Sequence, residues 1–187
     1  TRFGETNQLH LVEKPGGARR QLTFFAEPVR DAAVCPDPRR REFLFSKDVG
    51  GGESYQIYLF DMDSGEYAMV TDGASRNGYA LWSDAGDRFV YYSTRRNGRD
   101  WDLVLSHSGT PGKAETILQR KGTWVPLDWA PDGRRLLVEQ YVSINESYLH
   151  LLDLENGESE QINPDAGKVS YGDAAWARDG GGIYLSS

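Results

Sequence analysis

The chain has 187 residues, of which 39% are hydrophobic and 12% aromatic, a composition that supports a packed core and argues against disorder. The formal net charge of −7, with Lys and Arg scattered, makes binding to nucleic acid or to an anionic membrane unexpected, because both require a concentrated basic face. One cysteine excludes an internal disulfide, and no apolar run approaches the roughly 20 residues that a membrane helix needs.

Four positions of the chain recur at one fixed interval. They are Cys35, Trp82, Trp129 and Trp176, for which 82 − 35 = 47, 129 − 82 = 47 and 176 − 129 = 47. A turn of the Pro/Asp/Gly type and an apolar run follow each position. Repeats of about 40–50 residues built from short strands are typical of a β-propeller.

The predicted strands run through the chain in a constant order. The first are Leu9–Leu11 and an outer strand at Gln21–Thr23, which match the third and fourth strands of the later units. Each later unit has an apolar strand after its turn, a Leu-x-Leu third strand and an outer fourth strand. The nearly continuous apolar character of the second strands indicates burial on both faces, and no convincing helix is predicted.

We therefore predict an all-β chain, a propeller of four-stranded antiparallel blades with three complete blades and two half-blades. The domain prediction is a single propeller domain over 1–187, or part of a larger propeller. Its repeats are a half-blade at 1–31, blades at 32–78, 79–125 and 126–172, and a half-blade at 173–187.

The phase of the two ends predicts that the chain is cut through a blade. Ser187 lies 11 residues after Trp176, as Ser93 lies 11 after Trp82, since 187 − 176 = 93 − 82. Unpaired half-blades have exposed edges that invite pairing. Three arrangements stay open: closure into a four-bladed ring, a homodimer through the half-blades, or pairing with further sequence of a parent protein.

One turn-and-strand sequence carries a family resemblance. Trp129-Ala130-Pro131-Asp132-Gly133 resembles the Trp-Ser-Pro-Asp-Gly repeat of TolB-like propellers, and Leu22-Thr23 and Val70-Thr71 resemble their closing Leu-Thr. Residues 2–9 and 141–148 are similar to the propeller domains that precede the hydrolase domain of prolyl-oligopeptidase-family serine peptidases. Cys35, in place of Trp, departs from the pattern.

The resemblance implies a non-catalytic propeller that gates the access of peptide substrates to a hydrolase domain. A parent protein of this kind would be a serine peptidase, and its hydrolase domain or a peptide would be the partner. The alternatives are a TolB-like protein-interaction scaffold and a self-contained four-bladed propeller with a small ligand in its channel. The compartment is left open: the cytoplasm is slightly favoured, and Cys35 is compatible with the periplasm too.

No catalytic, cofactor or metal site is predicted in this chain. A serine hydrolase needs a G-x-S-x-G elbow, and the segment 52–56 lacks the closing glycine. Gly50-Gly51-Gly52 lacks the lysine of a phosphate-binding loop. Acidic pairs such as Asp61 and Asp63 precede glycine in tight turns, where Asp is favoured by local hydrogen bonds. His10 and His150 share a repeat position with Tyr58, which indicates packing, and His107 is expected to be exposed.

Function on propellers resides in loops, so loop residues are the candidate contacts. The candidates for partner contact are Arg95, Arg96, Asn97, Ser143, Asn145 and Glu146. The periodic tryptophans are expected to pack between blades. Trp101 and Trp124 break the period and are expected to be exposed near a rim.

Overall fold

The computed structural model describes residues 6–163 and 168–187, and in these ranges the chain forms sixteen β-strands and no helix. The strands are β1 (His10–Val12), β2 (Arg19–Gln21), β3 (Val29–Val34), β4 (Glu42–Lys47), β5 (Gln56–Asp61), β6 (Tyr67–Met69), β7 (Asn77–Trp82), β8 (Arg88–Ser93), β9 (Asp102–His107), β10 (Ala114–Leu118), β11 (Thr123–Trp129), β12 (Arg135–Ser143), β13 (Glu146–Asp153), β14 (Ser159–Gln161), β15 (Ala174–Trp176) and β16 (Ile183–Leu185).

The strands form five antiparallel sheets in which each strand pairs with the next one along the chain. Blade 1 is β3–β6, blade 2 is β7–β10 and blade 3 is β11–β14, while β1–β2 and β15–β16 form the N-terminal and C-terminal half-blades. The prediction of three complete blades and two half-blades is confirmed. The division into repeats at 32, 79, 126 and 173 stays a prediction.

The first strands of neighbouring blades contact one another, β3 with β7, β7 with β11 and β11 with β15. They therefore line the inner wall of the propeller. Because neighbouring strands are antiparallel, the loops between second and third strands all leave from one end of the blades. We call this end the upper face; it carries residues 48–55, 94–101 and 144–145. The opposite end, with the turns between first and second strands, is the lower face.

Four apolar clusters fill the spaces between consecutive sheets. Phe89 packs towards blade 1, whereas its neighbour Val90 packs towards blade 3, so the second strand of blade 2 is buried on both faces as predicted. The most buried members of the four interfaces, in chain order, include Phe45, Phe89, Leu136 and Leu149. Burial on both faces of each sheet explains why the second strands are almost continuously apolar.

The periodic tryptophans tie each blade to the preceding one. The indole N–H of Trp82 donates to the Ala33 carbonyl at 2.9 Å, and that of Trp129 donates to the Leu81 carbonyl at 3.2 Å. Trp82 and Trp129 are buried, and Trp176 is half-buried against blade 3. The packing role predicted for this position is confirmed.

Cys35 occupies the tryptophan position of blade 1 and fits a different packing. Its thiol is buried and donates to the Gly86 carbonyl at 3.5 Å, and burial raises the pKa of the thiol. A Cβ added to Gly86, whose φ is +68°, would lie 2.6 Å from the sulfur. The small Cys35 side chain and Gly86 therefore allow the lower turn of blade 2 to approach blade 1 closely.

The prediction for the two aperiodic tryptophans is wrong for Trp124. Trp124 is only 3% exposed, because β11 packs against blade 2 and the indole N–H donates to the Lys121 carbonyl at 3.2 Å. Trp101 is half-buried, with its ring 5.1 Å from that of Tyr92.

The two half-blades form separate sheets, and no strand pairing joins them within the described ranges. Their strands carry exposed apolar side chains, including Val12 on β1 and Tyr184 on β16. The similarity carried by residues 2–5 lies outside the described residues. So does Thr1-Arg2, which by sequence resembles the Thr94-Arg95 step of the repeat.

Candidate functional site at the upper face and inner wall

The predicted contact residues lie in corresponding loops of blades 2 and 3. Arg95, Arg96 and Asn97 follow β8, and the pair Ser143 and Glu146 closes the β12–β13 turn. Asn145 is at the tip of that turn. All six therefore lie on the upper face, but their surroundings differ.

In blade 2, Arg96 is held by two carboxylates and a carbonyl. Its Nε donates to Asp102 Oδ2 at 2.7 Å, and its Nη2 donates to Asp102 Oδ1 at 3.1 Å and to the Arg120 carbonyl at 3.0 Å. Asp102 is 1% exposed. Such a two-pronged pair fixes geometry as well as charge. Arg96 therefore stabilises its own loop rather than offering a free cation.

Asp100 organises the rest of the same loop. Asn97 Nδ2 donates to its Oδ2 at 2.9 Å, and the Gly122 N–H donates to its Oδ1 at 3.1 Å. These bonds, the one from Asn97 first, hold the pKa of Asp100 well below its usual range. Arg95 donates from Nη2 to Thr116 Oγ1 at 2.7 Å and is otherwise exposed. Most of the loop's polar groups are thus satisfied inside the blade.

The blade 3 hairpin presents a different surface. β12 and β13, with 9 and 8 residues, are longer than the 6-residue second and third strands of blades 1 and 2. Ile144 at the tip is 79% exposed, and Tyr141 and Val142 are about half exposed. The contact residues predicted from the sequence were the polar residues of this turn, and its apolar residues were not among them. The presence of Tyr141, Val142 and Ile144 in this stretch of sequence could have indicated an apolar contact surface.

The polar residues of the hairpin are engaged at its base. Tyr148 Oη donates to Glu146 Oε1 at 2.7 Å, and Lys168 lies 3.3 Å from Glu146 Oε2. These two neighbours lower the pKa of Glu146. Ser143 Oγ accepts from the Asn145 N–H at 3.3 Å, which supports the turn. The structure therefore leaves Ile144 as the most exposed large side chain of the tip.

An aromatic row runs from the inner wall to the upper face. The rings of Tyr79 and Tyr92 lie 5.5 Å apart, and Trp101 continues the row with the Arg76 guanidinium 5.5 Å from its ring. Tyr79 Oη donates to the Pro126 carbonyl at 2.7 Å, and burial is the main cause of its raised pKa. Gly78 is required here, because any Cβ at this position would overlap the Tyr92 ring.

A cavity of about 200 Å³ opens beside this row, between blades 1 and 2. Asp31 at its edge has φ +49°, at a repeat position that Gly78 occupies in blade 2, since 31 + 47 = 78. A non-glycine residue with positive φ is uncommon, and Asp is among those that tolerate it. Ser46 Oγ donates to Asp31 Oδ2 at 3.1 Å. Asp31 was not among the site residues predicted from the sequence.

The histidines behave largely as packing residues. His150 is 7% exposed, its ring is 5.0 Å from that of Trp124, and neither ring nitrogen has a hydrogen-bond partner among the described residues. Burial lowers the pKa of His150, and the nearby Arg120 charge adds to this effect. The packing role of His150 and the exposure of His107 are confirmed.

Within the described ranges, no group of three or more His, Cys, Asp or Glu residues is arranged to hold a metal ion. Nor do those ranges contain a helix long and apolar enough to span a membrane.

Comparisons with known proteins support the propeller architecture. No protein-family profile matches the chain. Over 138 residues, 73% of this chain, the sequence is 26% identical to the uncharacterized peptidase YuxL of Bacillus subtilis (strain 168). The match covers 20% of YuxL, so the chain corresponds to about a fifth of that curated relative.

Solved structures resemble the chain over nearly its whole length. TolB from Acinetobacter baumannii gives a TM-score of 0.68 at 16% identity, covering 95% of this chain and 42% of TolB. A prolyl endopeptidase gives 0.69 at 16% identity, covering 91% and 27%, and puromycin hydrolase gives 0.65 at 16% identity, covering 86% and 25%. The chain therefore has the β-propeller fold shared by TolB and by the propeller domains of prolyl peptidases.

Proposed function

We propose that this chain is a non-catalytic portion of the propeller of a longer, prolyl-oligopeptidase-like peptidase, where it restricts the access of substrates to a hydrolase domain. The observation that carries the proposal is the sequence match to a peptidase about five times as long as the matched region, since that region covers 20% of YuxL. The TM-score of 0.69 to a prolyl endopeptidase supports the same assignment.

The packing between blades suits a size filter. Such a filter requires a rigid wall, because an opening that widened through conformational fluctuation would admit longer chains. Indole-to-carbonyl bonds from Trp82 and Trp129 join successive blades, and apolar clusters fill every interface between the described sheets. The sequence supplies no nucleophile elbow, which fits a filtering rather than a catalytic role.

The hydrolase domain would contact the upper face. Of the upper-face loops of blades 2 and 3, the blade 3 hairpin offers the better contact, because burying its exposed Ile144, Tyr141 and Val142 is favourable. The polar loop of blade 2 gains less, since Arg96 and Asp100 are already paired within the loop.

A TolB-like interaction scaffold is the second candidate function. The TM-score of 0.68 to TolB, over 95% of this chain, favours it equally as a fold match. In that case the same hairpin would bind a separate protein. A homodimer through the half-blades, whose exposed Val12 and Tyr184 would become buried, would be visible as a doubled mass in solution.

A serine-reactive fluorophosphonate probe tests the proposal. The longer polypeptide that carries this chain should be labelled at a serine outside residues 1–187, because an activated serine nucleophile reacts with the probe. The 187-residue chain alone should stay unlabelled. An unlabelled longer polypeptide would contradict the peptidase assignment and favour the scaffold.

A further inference from the structure

The cavity between blades 1 and 2 has an apolar floor. Leu44 and Ile57, each 1% exposed, form it, and Ala33 and Ala80 complete its walls. Its volume of about 200 Å³ accommodates roughly six heavy atoms at about 30 Å³ each. A short aliphatic chain matches both the volume and the apolar walls.

One carboxylate stands at the edge of this apolar space. Asp31 is exposed, and no ion-pair partner for it occurs among residues 6–163 and 168–187. The neighbouring Arg30 does not neutralise it, because the Arg30 guanidinium lies over the Tyr55 ring, 4.4 Å from the centroid. Among the residues that the structure describes, only the Ser46 hydroxyl donates a hydrogen bond to the Asp31 carboxylate, at Oδ2.

Two tyrosines lie near the cavity. Tyr79 lines it, and the Tyr92 ring packs 5.5 Å from the Tyr79 ring. Asp31 is close enough to Tyr92 for its charge to contribute, after burial, to the raised pKa of that tyrosine. An organic cation at the Asp31 carboxylate would therefore also lie near the Tyr92 side chain.

We propose that this cavity binds an alkylammonium group, with the aliphatic chain on the floor formed by Leu44 and Ile57 and the ammonium at the Asp31 carboxylate. A free primary amine and a lysine side chain of a peptide share this chemistry. The proposal is independent of the proposed function, since it requires only the inner wall of this chain.

Titration of the 187-residue chain with n-pentylammonium chloride, followed by amide chemical shifts, tests the binding. The shifts of Ala32, Ala33 and Ala80 should change with a dissociation constant in roughly the millimolar range, as expected for about six heavy atoms. 1-Pentanol, which has the chain without the charge, should bind at least about tenfold more weakly. Equal binding of 1-pentanol, or no binding of the amine, would overturn the proposal.

Two variants assign the roles of charge and space. Asp31→Asn keeps a residue that tolerates positive φ, so the fold is retained, and amine affinity should fall at least about tenfold. Asp84→Asn, at an exposed lower-face aspartate, is the matched control and should bind as the parent chain does. Ala32→Leu should block the mouth of the cavity while leaving Asp31 intact. Unchanged affinity in Asp31→Asn would overturn the assignment.

A third arm separates the two sources of the cation. Competition by Nα-acetyl-lysine amide at the same amide signals would assign the site to lysine side chains of peptides. Binding of the free amine without such competition would assign it to small amines.

Discussion

The upper loops of blades 2 and 3 occupy the same place in the repeat and use it in opposite ways. Arg95 and Asn97 correspond to Val142 and Ile144, since 95 + 47 = 142 and 97 + 47 = 144. In the first loop Arg96 is paired with Asp100 and Asp102. The second presents apolar side chains to solvent. Repeat position thus determines where a loop lies, and its side chains determine whether it is available for contact.

The difference follows from what each loop does with its backbone. The blade 2 loop turns over buried Asp100 and Asp102, which accept from the Gly122 and Arg120 N–H groups of the next connection. The blade 3 loop needs no such support, because β12 and β13 pair almost to the tip, with Ser143 opposite Glu146. A paired hairpin can extend beyond the blade while its strand backbone remains hydrogen-bonded.

The largest change in the free energy of unfolding is expected at the interface between blades 2 and 3, the two blades that carry these loops. Trp129→Ala should lower the free energy of unfolding by about 3–5 kcal/mol, because it removes a buried ring and its inter-blade hydrogen bond. Urea unfolding followed by circular dichroism measures the change, with the exposed Tyr184→Ala as control. A loss below about 1 kcal/mol would mean that Trp129 does not hold the blades together.

The internal hydrogen bonds of the blade 2 loop can be removed by replacing the buried Asp102. Asp102→Ala should lower the free energy of unfolding by about 2–3 kcal/mol, since Arg96 and the Arg120 N–H both lose a charged partner. Asp84→Ala, at an exposed aspartate, should change it by less than about 0.5 kcal/mol. Equal stability of the two variants would show that the loop is not self-supporting.

The third strands of the two blades should respond differently to pH. His150 in blade 3 stands where Val104 stands in blade 2, and burial lowers the pKa of this histidine. The unfolded chain therefore binds the proton more readily, so stability should fall as pH drops below about 6.5, by at most about 1.4 kcal/mol per pH unit.

Replacement of His150 measures this contribution. His150→Phe should flatten the stability profile between pH 7 and 5, whereas His107→Gln, at an exposed histidine, should leave the slope unchanged. The measurement is the urea midpoint at each pH. A slope that persists in His150→Phe would assign the dependence to other groups.

The smallest effect is expected at the hairpin tip. Ile144→Ser should change the free energy of unfolding by less than about 0.5 kcal/mol, because a side chain that is 79% exposed contributes little to the core. Chemical denaturation compares it with Asp102→Ala. A destabilisation above about 1 kcal/mol would mean that Ile144 packs against the blade, and the contrast between the loops would disappear.

The fold could be predicted because one interval organises the sequence. Trp82 and Trp129 recur at corresponding places on the first strands, so their spacing directly indicates the length of one blade. Trp124 was misjudged because it lies outside this interval, and its burial depends on how β11 meets blade 2. Periodicity predicts the location of residues that recur in every blade, but it does not predict the burial of a residue that occurs in only one blade.

The candidate sites were only partly predictable for a related reason. The positions of Arg96 and Ser143 on the upper face follow from strand order, but the pairing of Arg96 with Asp102 depends on side-chain geometry. The cavity at Asp31 combines residues of four strands from two blades. A bulge in β3 shifts the strand-pairing register between Arg30 and Ala33, at Asp31, and no local sequence pattern predicts this bulge.

The most direct test of the account is the dependence of peptide cleavage on substrate length. The proposed longer peptidase carrying residues 1–187 should cleave a short peptide efficiently and should cleave the same sequence within a long unfolded protein with kcat/KM lower by more than a factor of about ten, a difference in barrier of roughly 1.4 kcal/mol. Equal kcat/KM for the two substrates would contradict the gating role that we propose for this propeller.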